Sequence, residues 1–255
     1  MEFTEAILLG IIQGVAEWLP VSSEGMLTFA MIHFFGKTFG EAVVYALWLH
    51  IGTMLAAIIY YRKEVQEISK DVFSWKFSSL TKFLFFATLA SLAIGGTLYF
   101  LGLELLEGAT IGATILIGVA LLVTGVLQLQ KKQQLGTKEP SIKDSLVAGA
   151  LQGLAVLPGI SRSGTTTATL LMQKYGSEQA LRLSFLMSIP LVLASSIALV
   201  LFEEVLFSAA ALVAVLVSFI VGLLTIDVFV KIARKVNFAY FCLVFGCIII
   251  IAAFI

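Results

Sequence analysis

Apolar residues dominate several long runs along this chain. Six runs reach the roughly 20 residues that a helix needs to cross a bilayer core of about 30 Å. They cover residues 41–61, 83–102, 111–130, 178–201, 207–229 and 237–255. The pattern predicts an all-α integral membrane protein with about six transmembrane helices.

Two other apolar runs are too short to cross, and each stops at a proline. The first run is followed by a Ser/Gly-rich break and a second short apolar stretch, and the second run shows the same order. The predicted helix pairs are 6–19 with 25–35, and 145–157 with 164–174. Non-helical backbone is tolerated at membrane depth where protein surrounds it, so we expect two re-entrant helix-loop-helix units.

The charged connections alternate in sign, which sets the expected orientation. Basic connections run from Arg62 to Lys82, Lys131 to Lys143 and Lys231 to Lys235, and acidic ones lie at Glu104/Glu107 and Glu203/Glu204. Lys and Arg are retained on the cytoplasmic side. The alternation therefore places the first re-entrant unit on the outer face, the second on the inner face, and both termini outside.

The two breaks lie in similar sequences. G-I-I-Q-G-V-A-E-W-L-P-V-S-S-E-G starts at Gly10, and G-A-L-Q-G-L-A-V-L-P-G-I-S-R-S-G starts at Gly149. Opposite entry of two related units predicts an inverted-topology repeat, whose ligand site lies where the breaks meet near the bilayer midplane. We expect one polytopic domain over residues 1–255, with repeat halves at about 1–135 and 141–255.

Composition supports the membrane assignment and excludes other classes. Hydrophobic residues make up 60% of the chain and charged residues 13%, with a mean hydropathy of +1.04 and no net charge. Such a chain favours membrane lipids as its surroundings and offers no basic surface for nucleic acid. Cys242 and Cys247 share one apolar segment, and their spacing favours core thiols over a disulfide or a metal site.

Glu17 is the first candidate for chemistry. Gln13 and Glu17 share one helix face, and an intramembrane carboxylate is a functional hypothesis by default because it is costly to bury. Arg162, in the corresponding break of the other repeat, is its expected partner. The bland alternative is a neutral Glu17 satisfied by backbone near the break.

The second break, Pro158 to Thr167, has the composition of a phosphate site. A helix N-terminus and the guanidinium of Arg162 both favour an anion. The hydroxyls that could add donors are those of Ser161, Ser163, Thr165 and Thr166. Helix capping alone could explain one or two of these hydroxyls, but it does not explain an arginine at membrane depth.

The first break offers Ser22 and Ser23 close to Glu17, with Glu24 as a second acid. Either serine could be a nucleophile, an anion ligand or a helix cap. His33 and His50 lie outside the breaks, and we interpret each as a packing or interfacial histidine with no metal-motif spacing.

At these positions the chain resembles the undecaprenyl-diphosphatase, or bacitracin-resistance, family. The resemblance rests on Gln13-x-x-x-Glu17 with L-P-V-S-S-x-G at Leu19 to Gly25, and on P-G-I-S-R-S-G-x-x-T at Pro158 to Thr167. Weaker support comes from L-H-I-G-T-M-L-A at Leu49 and S-F-L-M-S-I-P at Ser184.

The resemblance implies a phosphatase that converts a C55 polyprenyl diphosphate to the monophosphate and recycles the carrier lipid for cell-envelope polymers in the plasma membrane. By position, Glu17 would be the essential acid, Ser23 the nucleophile or phosphate ligand, and Arg162 the diphosphate clamp. Ser161 and Thr166 would complete the pocket. The family also implies a divalent cation, Mg²⁺ or Ca²⁺, held by Glu17 directly or through water.

Two positions depart from the family pattern. Gln13 stands where a second acid is usual, and the usual S-S-T-G-H reads Ser22-Ser23-Glu24-Gly25-Met26 here. Methionine cannot move a proton, so Glu24, Glu17 or a metal-bound water would have to replace the histidine, or catalysis is weakened. The alternatives are a polyprenyl-phosphate flippase or transporter, or a lipid-binding protein without catalysis. The sequence is also compatible with a homodimer.

Overall fold

In the computed structural model the described residues are 2–106, 110–129, 136–202 and 208–254, and for 102–106 and 202 only the backbone is described. This part of the chain forms eleven α-helices and no strand. The helices are α1 (Phe3–Ala16), α2 (Ser23–Phe35), α3 (Phe39–Tyr60), α4 (Arg62–Ser74), α5 (Ser79–Leu106), α6 (Thr110–Leu129), α7 (Ile142–Gly153), α8 (Arg162–Met172), α9 (Ser177–Phe202), α10 (Ala209–Lys235) and α11 (Ala239–Ala252). A short 3₁₀ turn, Leu154–Val156, follows α7.

Five helices of the described chain are long and apolar enough to span a membrane, namely α3, α5, α6, α9 and α10. The chain is thus a multi-pass, all-α membrane protein. The sixth predicted span, 237–255, is shorter than expected. Helix α11 has 14 residues, about 21 Å at roughly 1.5 Å per residue. It starts only at Ala239, whose N–H is accepted by the Asn237 side chain at 3.0 Å in the turn after α10.

The basic connection between the first two spans contains a helix that the apolar runs did not predict. Helix α4 buries none of its residues. Its apolar side chains alternate with charged ones at helical spacing, which is typical of a helix lying along a surface. The described part does not include Glu107, Lys131, Glu203 or Glu204, and it does not include the side chain of Glu104. The acidic connections and the start of the second basic connection therefore lie outside it.

Both predicted broken helices are present. Helices α1 and α2 are separated by residues 17–22, and α7 and α8 by residues 154–161. The four helices have 14, 13, 12 and 11 residues, in chain order. Each is too short to cross a bilayer core by itself.

Helices of one predicted half pack against helices of the other half. Helix α1 packs on α10, while α7 packs on α5, and α6 packs on α11. Glycines permit the close approach: an added Cβ at Gly10 would lie 2.7 Å from the Ala214 carbonyl oxygen, and one at Gly149 would collide with Ala87. This is the packing expected of two related halves that exchange partners, and the half boundaries stay a prediction.

The two cysteines of α11 differ in burial, and only one of them agrees with our interpretation of both as core thiols. Cys242 is buried against α6, whereas Cys247 is exposed and is therefore not a core thiol. The two cysteines lie five positions apart, and positions separated by five residues point about 140° apart on a helix of roughly 3.6 residues per turn. They consequently occupy different faces of α11.

Candidate active site between the two broken helices

The two breaks meet in the interior of the protein. The Ser22 hydroxyl accepts hydrogen bonds from the N–H groups of Gly25 at 3.2 Å and Gly159 at 3.1 Å, so it joins one break to the other. A Cβ on Gly25 would lie 2.7 Å from the Gly159 nitrogen. Gly159 itself has a φ of +106°, a conformation that favours glycine. The predicted meeting of the breaks is therefore present in detail.

Glu17 is buried and lies at the centre of a polar cluster. Arg162 donates to Glu17 Oε1 from the opposite break, forming the ion pair predicted from the repeat. Oε2 accepts from Ser23 Oγ at 2.7 Å and from Gln13 Nε2 at 3.1 Å, and the His50 Nε2 lies 3.2 Å from the same oxygen. A buried carboxylate with this set of donors is stabilised in its charged form.

Arg162 is held in place by three groups. It is the first residue of α8, so its side chain leaves the helix at the break. Besides Glu17, it donates from Nη1 to the Ser184 carbonyl at 3.1 Å, and its guanidinium lies 5.6 Å from the ring centre of Phe185. A guanidinium has five N–H donors, so donors remain for an anionic ligand.

A narrow polar cleft with about 20 Å³ of free space lies between the two breaks. It is lined by Glu17, Leu19, Ser22, Ser23, Glu24, His50, Ala155, Ile160, Ser161, Arg162 and Ser163. The first turns of α2 and α8 both contribute, so two helix N-termini and a guanidinium converge there. This combination favours a phosphate or diphosphate group.

The polar cleft adjoins a larger apolar cavity of about 470 Å³. Glu24, His50, Ala155 and Arg162 line both spaces. The remaining walls come mainly from α5 and α9, with residues such as Leu92, Tyr99, Leu191 and Ala194. A charged head group in the cleft would consequently continue into an apolar space.

Seven of the ten predicted site residues line the polar cleft: Glu17, Ser22, Ser23, Glu24, Ser161, Arg162 and Ser163. Gln13 lies behind Glu17, where its Nε2 also donates to Thr53 Oγ1 at 3.2 Å. Thr165 and Thr166 are buried outside the cleft lining. Thr166 Oγ1 donates to the Arg162 carbonyl at 2.7 Å and contacts Ser184, so it supports the first turn of α8.

His50 is the site residue that our sequence interpretation placed elsewhere. It lies on spanning helix α3, lines the cleft and contacts Glu17. Thr53, three residues later on the same face of α3, contacts Gln13. The sequence did indicate His50 as a candidate, because it places a histidine and a threonine one turn apart in a largely apolar helix. Ionisable groups at membrane depth are functional candidates by default.

Met26, at the position of the family's histidine, does not line the polar cleft. Its side chain packs with Leu19 and Val21 against Ile117 and Leu121 of α6. A methionine filling an apolar gap is an ordinary packing residue. Restoring proton transfer through this position would require a side chain that reaches back from that apolar cluster.

The arrangement does not fit a metal-ligand role for Glu17, because each of its oxygens already accepts from neighbouring donors and Arg162 supplies a positive charge beside it. The described residues also contain no group of three or more His, Cys, Asp or Glu side chains placed to hold a metal. A requirement for Mg²⁺ or Ca²⁺ stays a prediction from the resemblance.

Comparison with known proteins identifies the family. The sequence model described as "Bacitracin resistance protein BacA" matches residues 6–249. The chain belongs to this family. It is 42% identical over 265 aligned residues to the undecaprenyl-diphosphatase of Methanococcoides burtonii, covering all of both chains.

Two further relatives of this chain match with similar coverage. The undecaprenyl-diphosphatase of Haloarcula marismortui is 41% identical, covering 94% of this chain and 93% of the relative. The undecaprenyl-diphosphatase of Methanothrix thermoacetophila is 38% identical, covering 97% and 96%. The cleft residues thus lie within the part of the chain that the family model matches.

Proposed function

We propose that this protein is a membrane phosphatase that hydrolyses undecaprenyl, or another polyprenyl, diphosphate to the monophosphate and inorganic phosphate. Its family and the names of its relatives support this proposal. The reaction would recycle the carrier lipid for cell-envelope synthesis. We also propose a plasma-membrane location, as the family resemblance implies, and an orientation with both termini on the outer face, as the charge alternation predicts.

The observation that carries the proposal is that the polar cleft directly adjoins the apolar cavity. The cleft offers Arg162, serine hydroxyls and two helix N-termini to a diphosphate. The cavity, about 470 Å³ and walled mainly by apolar side chains, offers space to the first part of a polyprenyl chain. A lipid with a charged head and a long apolar tail matches both parts.

The contacts of Ser23 support a nucleophilic role. In the proposed reaction, Ser23 Oγ attacks the terminal phosphorus while its proton passes to Glu17 Oε2, which it already contacts at 2.7 Å. The bond to the bridging oxygen breaks, and its electron pair leaves with the polyprenyl phosphate. Water then hydrolyses the phosphoserine and regenerates the serine, with the inorganic phosphate as second product.

Arg162 would bind the diphosphate and offset the charge that develops on its oxygens. Phosphoryl transfer depends mainly on such positioning and electrostatic stabilisation. A flippase would need the same anion site, but it would not need a serine hydrogen-bonded to a buried carboxylate. The contact between Ser23 and Glu17 therefore favours the phosphatase.

The test is phosphate release from a long polyprenyl diphosphate by the purified protein in detergent, with Mg²⁺ or Ca²⁺ present. Arg162→Ala should lose at least about 10²-fold in kcat/KM, because loss of a buried charge-assisted contact costs several kcal/mol. Arg182→Ala, on the exposed face of α9, is the matched control and should retain activity.

Absence of phosphate release from the wild-type protein, together with movement of labelled lipid across proteoliposomes, would favour the transporter. Binding without either activity would favour a lipid-binding protein. Size measurement of the same sample distinguishes a monomer from the homodimer that the sequence allows.

A further inference from the structure

His50 makes two contacts that specify its hydrogen-bonding state. Its Nδ1 lies 2.7 Å from the Ala46 carbonyl oxygen, and its Nε2 lies 3.2 Å from Glu17 Oε2. Both partners are acceptors when Glu17 is charged, as its contact with Arg162 favours. A neutral imidazole has only one N–H, so it can satisfy only one of these contacts. The geometry therefore favours a ring that donates from both nitrogens.

The position of His50 is suited to chemistry more than to packing. It lies where the polar cleft meets the apolar cavity and lines both. The other ionisable groups in these linings are Glu24 and Arg162 in both spaces, Glu17 in the cleft and Tyr99 in the cavity. The Glu24 Oε1 atom is buried without a hydrogen-bond partner, so this end of the cleft has an unfilled polar position.

We propose that His50 is a further catalytic residue, which donates a proton to the bridging oxygen of the diphosphate as the terminal phosphate is transferred. This inference rests on the phosphatase function proposed above. The phosphoryl group lies at Ser23 in that reaction, and the tail extends into the cavity. The bridging oxygen between them consequently lies on the side of the cleft that His50 lines.

The proton balance of the step is complete without another reactant. The phosphorus–oxygen bond breaks, its electron pair goes to the bridging oxygen, and that oxygen receives the His50 Nε2 proton. The Ser23 proton reaches Glu17 Oε2 in the same step. Because Glu17 Oε2 lies 3.2 Å from His50 Nε2, that proton can pass to His50 and restore the donor. Water then hydrolyses the phosphoserine as before.

The chain offers a matched control, since it contains two histidines. The His33 Nε2 contacts Thr114 Oγ1 at 3.1 Å, and its ring packs on Phe29. Neither the cleft nor the cavity includes His33 in its lining. His33→Gln therefore tests the loss of a histidine from the same protein without changing the site.

The experiment measures turnover of undecaprenyl diphosphate and binding of undecaprenyl phosphate for the wild-type protein, His50→Gln, His50→Ala and His33→Gln. Glutamine keeps a hydrogen-bond donor near Glu17 but cannot transfer a proton. We expect His50→Gln to lower kcat by about 10²- to 10⁴-fold. Its affinity for the monophosphate should stay within about threefold of wild type, and His33→Gln should match wild type. We expect a larger loss of kcat in His50→Ala than in His50→Gln, because alanine also removes the hydrogen-bond donor beside Glu17.

Two results would overturn the assignment of His50 while leaving the phosphatase intact. The first is a His50→Gln variant with kcat within about threefold of wild type, since a proton donor typically contributes far more. The second is an equal loss of binding and turnover in both His50 variants, which indicates a structural role. An inactive wild-type protein would instead overturn the proposed function, and the inference about His50 with it.

Discussion

Ser22 and Ser23 are adjacent in the sequence but make different contacts. Ser22 has a φ of +62°, caps α2 and accepts N–H groups from both breaks. Ser23 instead donates to Glu17. The sequence left cap and nucleophile open for both residues, and these contacts make Ser22 the cap and leave Ser23 as the candidate nucleophile. Non-glycine residues in the left-handed region are often found at functional sites.

The first prediction separates these two serines. Ser23→Ala should abolish measurable phosphate release while the protein still binds polyprenyl phosphate and keeps its thermal unfolding midpoint. Ser22→Ala should lower stability by about 2 kcal/mol or more, because two buried N–H groups lose their acceptor. Thermal unfolding in detergent and phosphate release measure the two effects. Appreciable turnover by Ser23→Ala would contradict the nucleophilic role.

The contrast between Glu17 and His50 shows how far single residues could be predicted. Glu17 and Arg162 occupy matching breaks of a sequence repeat, so their ion pair followed from the repeat alone. His50 lies in a 22-residue helix that is apolar on most of its surface. Hydrophobic periodicity gives no strong indication of which face of such a helix meets the breaks. That contact is fixed by tertiary packing.

The broken helices depend on close contact between their backbones. Gly25 in the first turn of α2 lies against Gly159, and both the nitrogen and the Cα of Gly159 would be within 2.9 Å of an added Cβ. These are backbone atoms, so a side chain at Gly25 cannot be accommodated by rotation of a neighbour. Glycine at this position is thus required for the two helix N-termini to reach the same cleft.

The second prediction tests this requirement. Gly25→Ala should separate the breaks, lower the thermal unfolding midpoint and reduce phosphate release by at least about 10²-fold, as expected when catalytic groups are displaced by about 1 Å. Val244→Ile is the control for an added methyl group, because Val244 is 61% exposed and lines neither the polar cleft nor the apolar cavity. Equal behaviour of the two variants would show that the breaks tolerate separation.

Helices α4 and α11 differ from the sequence prediction, because hydropathy alone does not describe either segment correctly. Helix α4 is charged on one face, so it looked like a connection, although its spacing is helical. Residues 237–255 are apolar after Asn237, so they looked like a full span, although the turn at Asn237 delays α11 until Ala239. Length and hydropathy identify apolar runs well, but they do not report where a local turn starts or ends a helix.

The whole molecule combines two halves that contribute different parts of one site. The first half supplies Glu17, Ser23 and His50, and the second supplies Arg162. The walls of the apolar cavity also come from both halves, through α5 and α9. Related breaks with different side chains therefore produce one asymmetric cleft, with the acid and nucleophile on one side and the clamp on the other.

The last prediction concerns the lipid tail, which the proposed function places in the apolar cavity. Ala194 lines that cavity, whereas its neighbour Leu193 is 50% exposed on the outer face of α9. A tryptophan side chain carries about 150–250 Å² of surface, so Ala194→Trp should fill the space that the first isoprene units occupy. Burial of apolar surface contributes roughly 25 cal/mol per Å². We therefore expect Ala194→Trp to raise KM for undecaprenyl diphosphate by about tenfold or more, with kcat at saturation within about threefold, and Leu193→Trp to resemble wild type. Unchanged KM in Ala194→Trp would mean that the tail leaves the polar cleft by another route, and the cavity would then have no part in recognising the lipid.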